Sequence, residues 1–462
     1  MFVFNDCTTD ARVLREAGSL EAAGHQVTIM ARPRDLAATE EERETRSGFE
    51  IVRVPIPFIW RAWSMALRRP VMARRLVRRL LAEEGRRGPA GWASLAGFAG
   101  LGVIGLPYAA GRIIATRIRR ARGRPGRAGG GSVEYLGRWA FSIIGWARAA
   151  AHRAPPGDVY HGHDLTGLPA AVYAAARDGG ALVYDSHEIF MESGGHVGRP
   201  GAVRGFFARF ERRWSGRAAA LVTVNRSLAE ELGRRLHPKR VVVVHNCAPR
   251  WDPPAQRPDL LRAAAGIPAD AAIALYHGGL TRHRGVEQLA GALLEPGMER
   301  VHGVLMGYGS ELETYEHLAG EDRFGGRLHV LPPVPPDELI PWVASADVGV
   351  IAIQRSTLNH WLSTPNKLFE CLAAGVPVVA SDFPEMHRIV GEDPDGPLGV
   401  LCDPRDVPAI AAAIRAIVEA PGAEREELRA RCLHAAHERW NWETESAGLL
   451  ELYQDLAVPV AA

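Results

Sequence analysis

The strongest constraint on this chain is a rhythm that occurs twice. Short apolar runs, "MFVF", "QVTIMA", "DVYHGHD", "ALVYDSHE", "ALVTVN" and "VVVVHN", alternate with stretches of helical period such as "ARVLREAGSLEAAG" and "LPAAVYAAARDGG". The pattern halts at a proline-rich break, "APRWDPPAQRP" at 248–258, and restarts with "IALYHGG", "VHGVLMGYGS", "LHVLPPV", "VGVIAI" and "VPVVAS". Apolar strands joined through helices predict parallel sheets covered on both faces. The fold class expected is therefore α/β, with two doubly wound domains at 1–247 and 259–435, a linker at 248–258 and a helical segment at 436–462. A length of 462 residues agrees with two or three domains. Open sheets of this kind bind ligands beyond the carboxyl ends of their strands, so the site is expected in a cleft between the domains.

The stretch "STPNKLFECLAAGVPVVASD" (363–382) carries Lys367, which with Lys239 makes up all the lysine among 55 basic residues. Pro365 suits a first helical position with Thr364 as its N-cap, and Gly375 suits the stop before the strand "VPVVAS". Asn366, Lys367 and Glu370 then lie in the first two turns and can share a face. One reading is a surface Lys/Glu pair. The other starts from Leu368, Phe369, Cys371, Leu372, Ala373 and Ala374, which make the helix apolar nearly all round and so buried. A carboxylate there needs donors, and ligand hydroxyls can supply them. The helix N-terminus suits a phosphate. Together these features suggest a nucleotide diphosphate with Glu370 on its ribose. In "GGLTRHRG", Gly278 and Gly279 let the backbone approach a ligand closely. Arg282 and Arg284 read as anion contacts or as a solvated loop, and Gly307 in "GYGS" as part of a ligand loop or a tight turn.

In the first half, Asp10 caps the first helix, which Gly24 stops, or else faces the cleft with Arg12. His161, His163 and Asp164 close one strand, and His187 and Glu188 close the next. These residues follow no helical metal-ligand spacing, and no metal is expected. The cysteines at 7, 247, 371, 402 and 432 are scattered and odd in number, which reads as reduced core thiols of a cytoplasmic protein. "MFVFNDCTTD" shows no signal-peptide pattern.

The net charge of +2 hides an asymmetry, because 61–153 holds 19 arginines against Glu83, Glu84 and Glu134. Over 70–81, Met72, Leu76, Val77, Leu80 and Leu81 oppose Arg74, Arg75, Arg78 and Arg79, which predicts a basic amphipathic helix suited to an anionic membrane surface or to a solvated face. The uncharged stretch 88–111 is long enough to cross a bilayer. A single crossing would nevertheless separate strands of one sheet, so an in-plane or re-entrant course, or packing against protein, is expected instead. A flexible loop is expected at 122–132. No nucleic-acid motif accompanies the charge.

Taken in order, these motifs resemble the retaining GT-B glycosyltransferases of the family 4 type, the glycosyl transferases group 1. "STPNKLFECLAAGVPVVASDFPEM" is similar to their donor-binding segment. "DARVLREAGSLEAAGHQVTIMA", "DVYHGHD", "VYDSHE", "VTVNRSLAEEL", "VVHN", "YHGGLTRHRG", "GVLMGYGSE" and "WNWETESAGLLELY" extend the similarity over both domains. The resemblance implies two Rossmann-like domains, the first for the acceptor and the second for the nucleotide sugar, with the terminal helix crossing back to the first. It implies Glu370 on the ribose, Arg284 on the diphosphate and His187 towards the donor sugar. The family's first Glu falls at Leu362 and its earlier Arg at Gly279. Arg282 is the candidate to replace that Arg, while Asn366 and Lys367 are candidates for further donor contacts. Asp10, Arg12, His163, Asp164 and Glu188 are expected on the acceptor side.

The expected activity is transfer of a sugar from a nucleotide diphosphate donor to a lipid-linked or polysaccharide acceptor, with retention of anomeric configuration. His187, Lys367 and Arg284 are expected at the reaction centre. No cofactor is expected, the nucleotide sugar being a substrate, and the protein is expected in the cytoplasm or on the inner face of the plasma membrane. The alternatives are a GT-B nucleotide-sugar epimerase or hydrolase, and a non-catalytic nucleotide-sugar-binding scaffold of polysaccharide assembly.

Overall fold

The computed structural model describes residues 1–36, 38, 40–57 and 132–457. The amphipathic helix expected over 70–81, the apolar stretch 88–111 and, but for Ser132, the loop 122–132 lie outside the described residues. Among the described residues no helix is long and apolar enough to cross a membrane. Two compact units divide the chain. The first comprises Met1–Val222, Gly233–Val242 and Leu450–Ala462, and the second Thr223–Leu232 and Val243–Leu449.

The first unit is built on β1 (Phe2–Val3), β2 (Thr28–Ala31), β3 (Glu42–Arg46), β4 (Phe49–Arg53), β5 (Val159–His163), β6 (Ala181–Ser186), β7 (Ala220–Thr223) and β8 (Val241–Val243). Their order in the sheet is β3-β4-β2-β1-β5-β6-β7-β8. β1 pairs in parallel with β2 (Phe2 opposite Met30) and with β5 (Phe2 opposite Gly162). The strand order therefore reverses at β1, and the segments leaving β1, β5 and β6 crowd the same sheet end. The helix Ala11–Ala22 is capped by Asp10, whose carboxylate accepts from the Val13 amide. The apolar runs of the sequence did not announce the hairpin β3–β4. Ser47 (φ 49°) and Gly48 (φ 87°) make its two-residue turn, the left-handed pair that such hairpins need. β3 runs antiparallel to β4 at the sheet edge, where the polar sequence "ERETR" discourages pairing with other chains.

The second unit holds β9 (Ala272–Gly279), β10 (Val301–Tyr308), β11 (Leu328–Leu331), β12 (Val348–Ile351), β13 (Val378–Ser381) and β14 (Gly399–Cys402). All pair in parallel, in the order β11-β10-β9-β12-β13-β14. Alternate residues of β9 serve two cores. Ile273 and Leu275 pack with Leu368, Phe369 and Leu372, while Ala274 and Tyr276 pack with Val286 and Leu289. The strand order reverses between β9 and β12, so the loop after β9 and the chain after β12 meet at the point where doubly wound sheets bind ligands.

The helix expected at 365–374 forms over Asn366–Ala373, with one correction. Pro365 (φ −70°, ψ 141°) is itself the cap residue, and Thr364 does not cap. The Thr364 hydroxyl instead accepts from the Asn225 amide at 3.2 Å, and Asn225 also donates to the Leu362 carbonyl at 2.8 Å. Gly375 follows the helix at φ 66°, a left-handed turn that suits glycine.

Candidate functional site

Two clusters stand at these sheet ends, one in each unit. In the second unit, the buried face of the helix Asn366–Ala373 anchors it through Leu368, Phe369, Cys371 and Leu372, all at most 1% exposed. This fixes its first turns beside the end of β9. His277 Nε2 donates to Glu370 Oε2 at 2.8 Å. The imidazole is buried, and it aims a carboxylate that is still 16% exposed. Lys367 Nζ sits 3.4 Å from the centroid of the Tyr276 ring, a cation–π contact. The Tyr276 hydroxyl donates to the Gly279 carbonyl at 2.6 Å, which holds the ring in place. Burial, reinforced by the nearby Arg284 charge and opposed by Glu370, lowers the Lys367 ammonium to about 7.

Arg284 is half-buried, while Arg282 is exposed and lies 3.5 Å from Glu311. Asn366 is also exposed, and its carbonyl oxygen accepts from Asn246 at 3.0 Å. Gly278 adopts φ 104°, which supports the expected close backbone approach. Among the described residues nothing lies within 4 Å of where a Gly279 Cβ would sit. Gly307 has a steric reason within the sheet, since its Cβ would fall 1.9 Å from the Gly278 carbonyl oxygen. Lys367, Arg284, Glu370, Gly278 and Gly279 thus come together, while Arg282 and Asn366 point to the surface. Sequence reasoning missed His277 and Tyr276. Their only signal was a polar residue and an aromatic in the last turn of a strand, immediately before two glycines.

In the first unit the cluster is closed rather than open. Arg12 and Glu16, four apart on the helix Ala11–Ala22, are buried and joined at 2.9 Å. Arg12 also donates to both oxygens of Asp185, at 3.0 and 3.2 Å. His161 and His163, two apart on β5, stack at 4.4 Å, and both are fully buried. His161 Nδ1 meets the Tyr453 hydroxyl at 2.8 Å, and His163 Nδ1 lies 3.3 Å from Asp185. Burial holds both imidazoles below their usual range and pushes the Glu16 carboxyl well above the usual carboxylate range, with Asp185 adding to the latter effect. Burial alone would raise Asp185 too, but Arg12 and His187 overrule it and hold the carboxylate charged.

At the rim, His187 Nε2 bonds Asp185 at 2.9 Å and its Nδ1 faces Asp164 at 3.4 Å. Asp164 (φ 54°) also accepts from the His187 amide at 3.2 Å. Glu188 is exposed. Of the residues expected on the acceptor side, Arg12 and His163 are therefore internal, Asp10 is engaged as a cap, and Asp164 and Glu188 reach the surface. Asp185 and Glu16 were missed, although spacing two along a strand from His187 and four along a helix from Arg12 pointed to them.

Glu16, His161, His163 and Asp185 offer ligand atoms within 4.8 Å of one another, a spacing that could hold a cation. The charge count argues for an ion network instead. Arg12 and His187 already hold the Asp185 carboxylate charged, and a divalent ion would add further positive charge beside Arg12 where burial is costly.

The comparisons with known proteins agree with this layout. The family model for glycosyl transferases group 1 matches residues 271–420, and that for Glycosyltransferase Family 4 matches residues 108–249. A D-inositol 3-phosphate glycosyltransferase of Catenulispora acidiphila is 29% identical over 65% of this chain and 73% of its own. A glycogen synthase of Mycobacterium tuberculosis is 27% identical over 64% of this chain and 68% of its own. The sucrose-phosphate synthase structure from Thermosynechococcus elongatus superposes with a TM-score of 0.67 at 18% identity, covering 98% of both chains. With one family match on each unit and a doubly wound sheet under each, the chain belongs to the group 1, family 4 type glycosyltransferases, enzymes of the GT-B fold.

Proposed function

We propose that this enzyme moves a sugar from a nucleotide diphosphate donor to a lipid-linked or polysaccharide acceptor, with retention of configuration. The second unit holds the donor and the first holds the acceptor. The observation that carries this reading is the pair of polar groups fixed at the end of β9: Glu370 aimed by His277, and Lys367 held on the Tyr276 ring. Glu370 accepts from the ribose hydroxyls. Lys367 and Arg284 meet the diphosphate, and their charge stabilises it as the sugar–phosphate bond breaks. The departing phosphate takes the proton of the acceptor hydroxyl, which then attacks from the same face. The protein contributes positioning and charge. Neither a metal nor an organic cofactor is needed, because these two cations and the helix N-terminus face the leaving group.

A lipid-linked acceptor is favoured by the arginine excess at 61–153, which suits an anionic membrane surface on the cytoplasmic side. The scaffold alternative rests on Leu362, a buried apolar residue where the family carries a first Glu. Calorimetry with UDP, GDP, ADP and their common sugar conjugates tests the donor reading. One nucleotide should bind wild type selectively and bind Glu370→Ala weakly. Failure of all of them to bind the folded protein would remove the donor site. Binding without transfer to any acceptor would favour the scaffold. Recovery of the donor sugar linked to an acceptor would exclude the epimerase and hydrolase readings, and NMR of that glycoside would read its anomeric configuration.

A further inference from the structure

His187 has a carboxylate at each ring nitrogen. Asp185 lies 2.9 Å from Nε2, and Asp164 lies 3.4 Å from Nδ1. A neutral imidazole has one donor nitrogen and one acceptor nitrogen, so one of these carboxylates would face a lone pair. With both carboxylates ionised, only the imidazolium satisfies both. We infer that His187 is a fixed cation, clamped between Asp164 and Asp185, and that Arg12 and Glu16 behind Asp185 are positioning residues for it. The inference rests on the proposed function for its place in the reaction, but the clamp itself can be read without turnover.

The groups that face His187 come from four elements. Asp164 begins the helix Asp164–Asp178, Asp185 stands on β6, His163 ends β5 with its ring 5.7 Å away, and Arg12 and Glu16 come from the helix Ala11–Ala22. The burial of His187 favours its neutral form, but Asp164 and Asp185 outweigh this and raise its pKa to about 10. Asp185 is 0% exposed and has Arg12 on both oxygens, so it cannot turn away from Nε2. Asp164 is held from the other side, with one oxygen on the His187 amide.

The clamp decides what this corner can recognise. Both nitrogens are turned to carboxylates of the protein, so His187 is unavailable as a base. The group left facing solvent is the Asp164 carboxylate, 37% exposed. A substrate hydroxyl that meets this corner can donate to Asp164, beside a fixed positive charge. This agrees with a reaction in which the acceptor proton goes to the departing phosphate.

The test uses the full chain labelled with 13C and 15N at histidine, with His187→Gln identifying the resonance. In wild type, His187 should keep the charged-form shifts from pH 6 to 9. Asp164→Asn should lower its pKa by about 1–3 pH units, the usual effect of one adjacent opposite charge, and so bring its titration into view. Asp185→Asn should do the same; if that buried change prevents folding, Asp164→Asn decides alone. A wild-type His187 that titrates near 6.5, or one that does not move in a folded variant, overturns the inference. In turnover, Asp164→Asn should cost about 10- to 100-fold in kcat/KM, the loss expected of one charge-assisted contact, and add a fall in rate towards alkaline pH. Nucleotide affinity should stay unchanged. If no donor is turned over by wild type, the proposed function fails while the titration still judges the clamp.

Discussion

The two clusters solve opposite problems. In the first unit the charges are matched inside the protein, with Arg12 on Asp185 and His187 between Asp164 and Asp185, while burial disfavours the charged forms of Glu16 and His163 beside them. In the second unit the cations are left unmatched. Among the described residues neither Lys367 nor Arg284 has an ion-pair partner within 4.0 Å, and Lys367 rests on an aromatic face instead. A closed network orders its members at the cost of their reactivity, whereas an open one is a standing demand for an anion. On the proposed function, the first cluster is scaffolding for His187 and Asp164, and the second is the receiver of negative charge.

Arg12→Ala is the harshest way to break this contrast. It leaves Asp185 buried without its principal partner, and breaking a buried pair from one side costs about 3–5 kcal/mol. The lower end is expected, because His187 and His163 stay on Asp185. Denaturant unfolding should report a loss of about 3 kcal/mol. A loss within about 0.5 kcal/mol, the range of ordinary surface changes, would show that the network is not closed.

Glu370→Ala and Arg284→Ala probe the open cluster, and their effect should fall on the ligand. Each should weaken nucleotide binding about 10- to 100-fold, the worth of one hydrogen bond to a charged group, with the unfolding midpoint nearly unchanged. Unchanged affinity in a folded variant would move the donor site elsewhere. A finer probe is pH. The Lys367 ammonium is lowered to about 7, so in the free protein it is charged below that value and neutral above it. A diphosphate binds the charged form, so affinity should fall as pH rises from 7 towards 9, by up to about tenfold per unit. Calorimetry at pH 8 in buffers of different ionisation enthalpy should register proton uptake on binding. A flat profile with no uptake would mean that Lys367 is already charged, or does not meet the anion.

The contrast between the clusters also marks how far the sequence could be read. Both sheets were legible because "ALVYDS", "IALYHGG" and "VPVVAS" are continuous apolar runs, as strands covered on both faces must be. The β3–β4 hairpin was not, because an edge strand such as "ERETR" shows charge where a strand is sought by its apolar residues. Lys367, Glu370 and Arg284 were singled out by local features, namely a rare lysine, a buried helix and a glycine-flanked loop, and the structure brings them together at the end of β9. The bond from His277 to Glu370 spans 93 positions, and the Tyr453 contact with His161 spans 292. No local period reports either. Arg12 was placed on the right element but in the wrong role, since i,i+4 spacing to Glu16 shows that two side chains meet, and burial decides whether a ligand meets them too.

The mildest substitution sharpens the comparison most. The family's earlier basic residue falls at Gly279, and Lys367 approaches the same strand end from another element, with Nζ 3.9 Å from where a Gly278 Cβ would sit. If Lys367 supplies the charge that Gly279 lacks, Gly279→Arg adds a second cation to a place already served. The change should fold, because no described residue lies within 4 Å of the new Cβ. Nucleotide affinity at pH 7 should then improve by no more than about fivefold, the scale of a solvent-exposed ion pair. The fall in affinity above pH 7 should flatten, because a guanidinium stays charged throughout that range. A gain of tens of fold at pH 7 would mean that the strand end was short of charge all along, and that Lys367 on the Tyr276 ring does not replace the missing arginine.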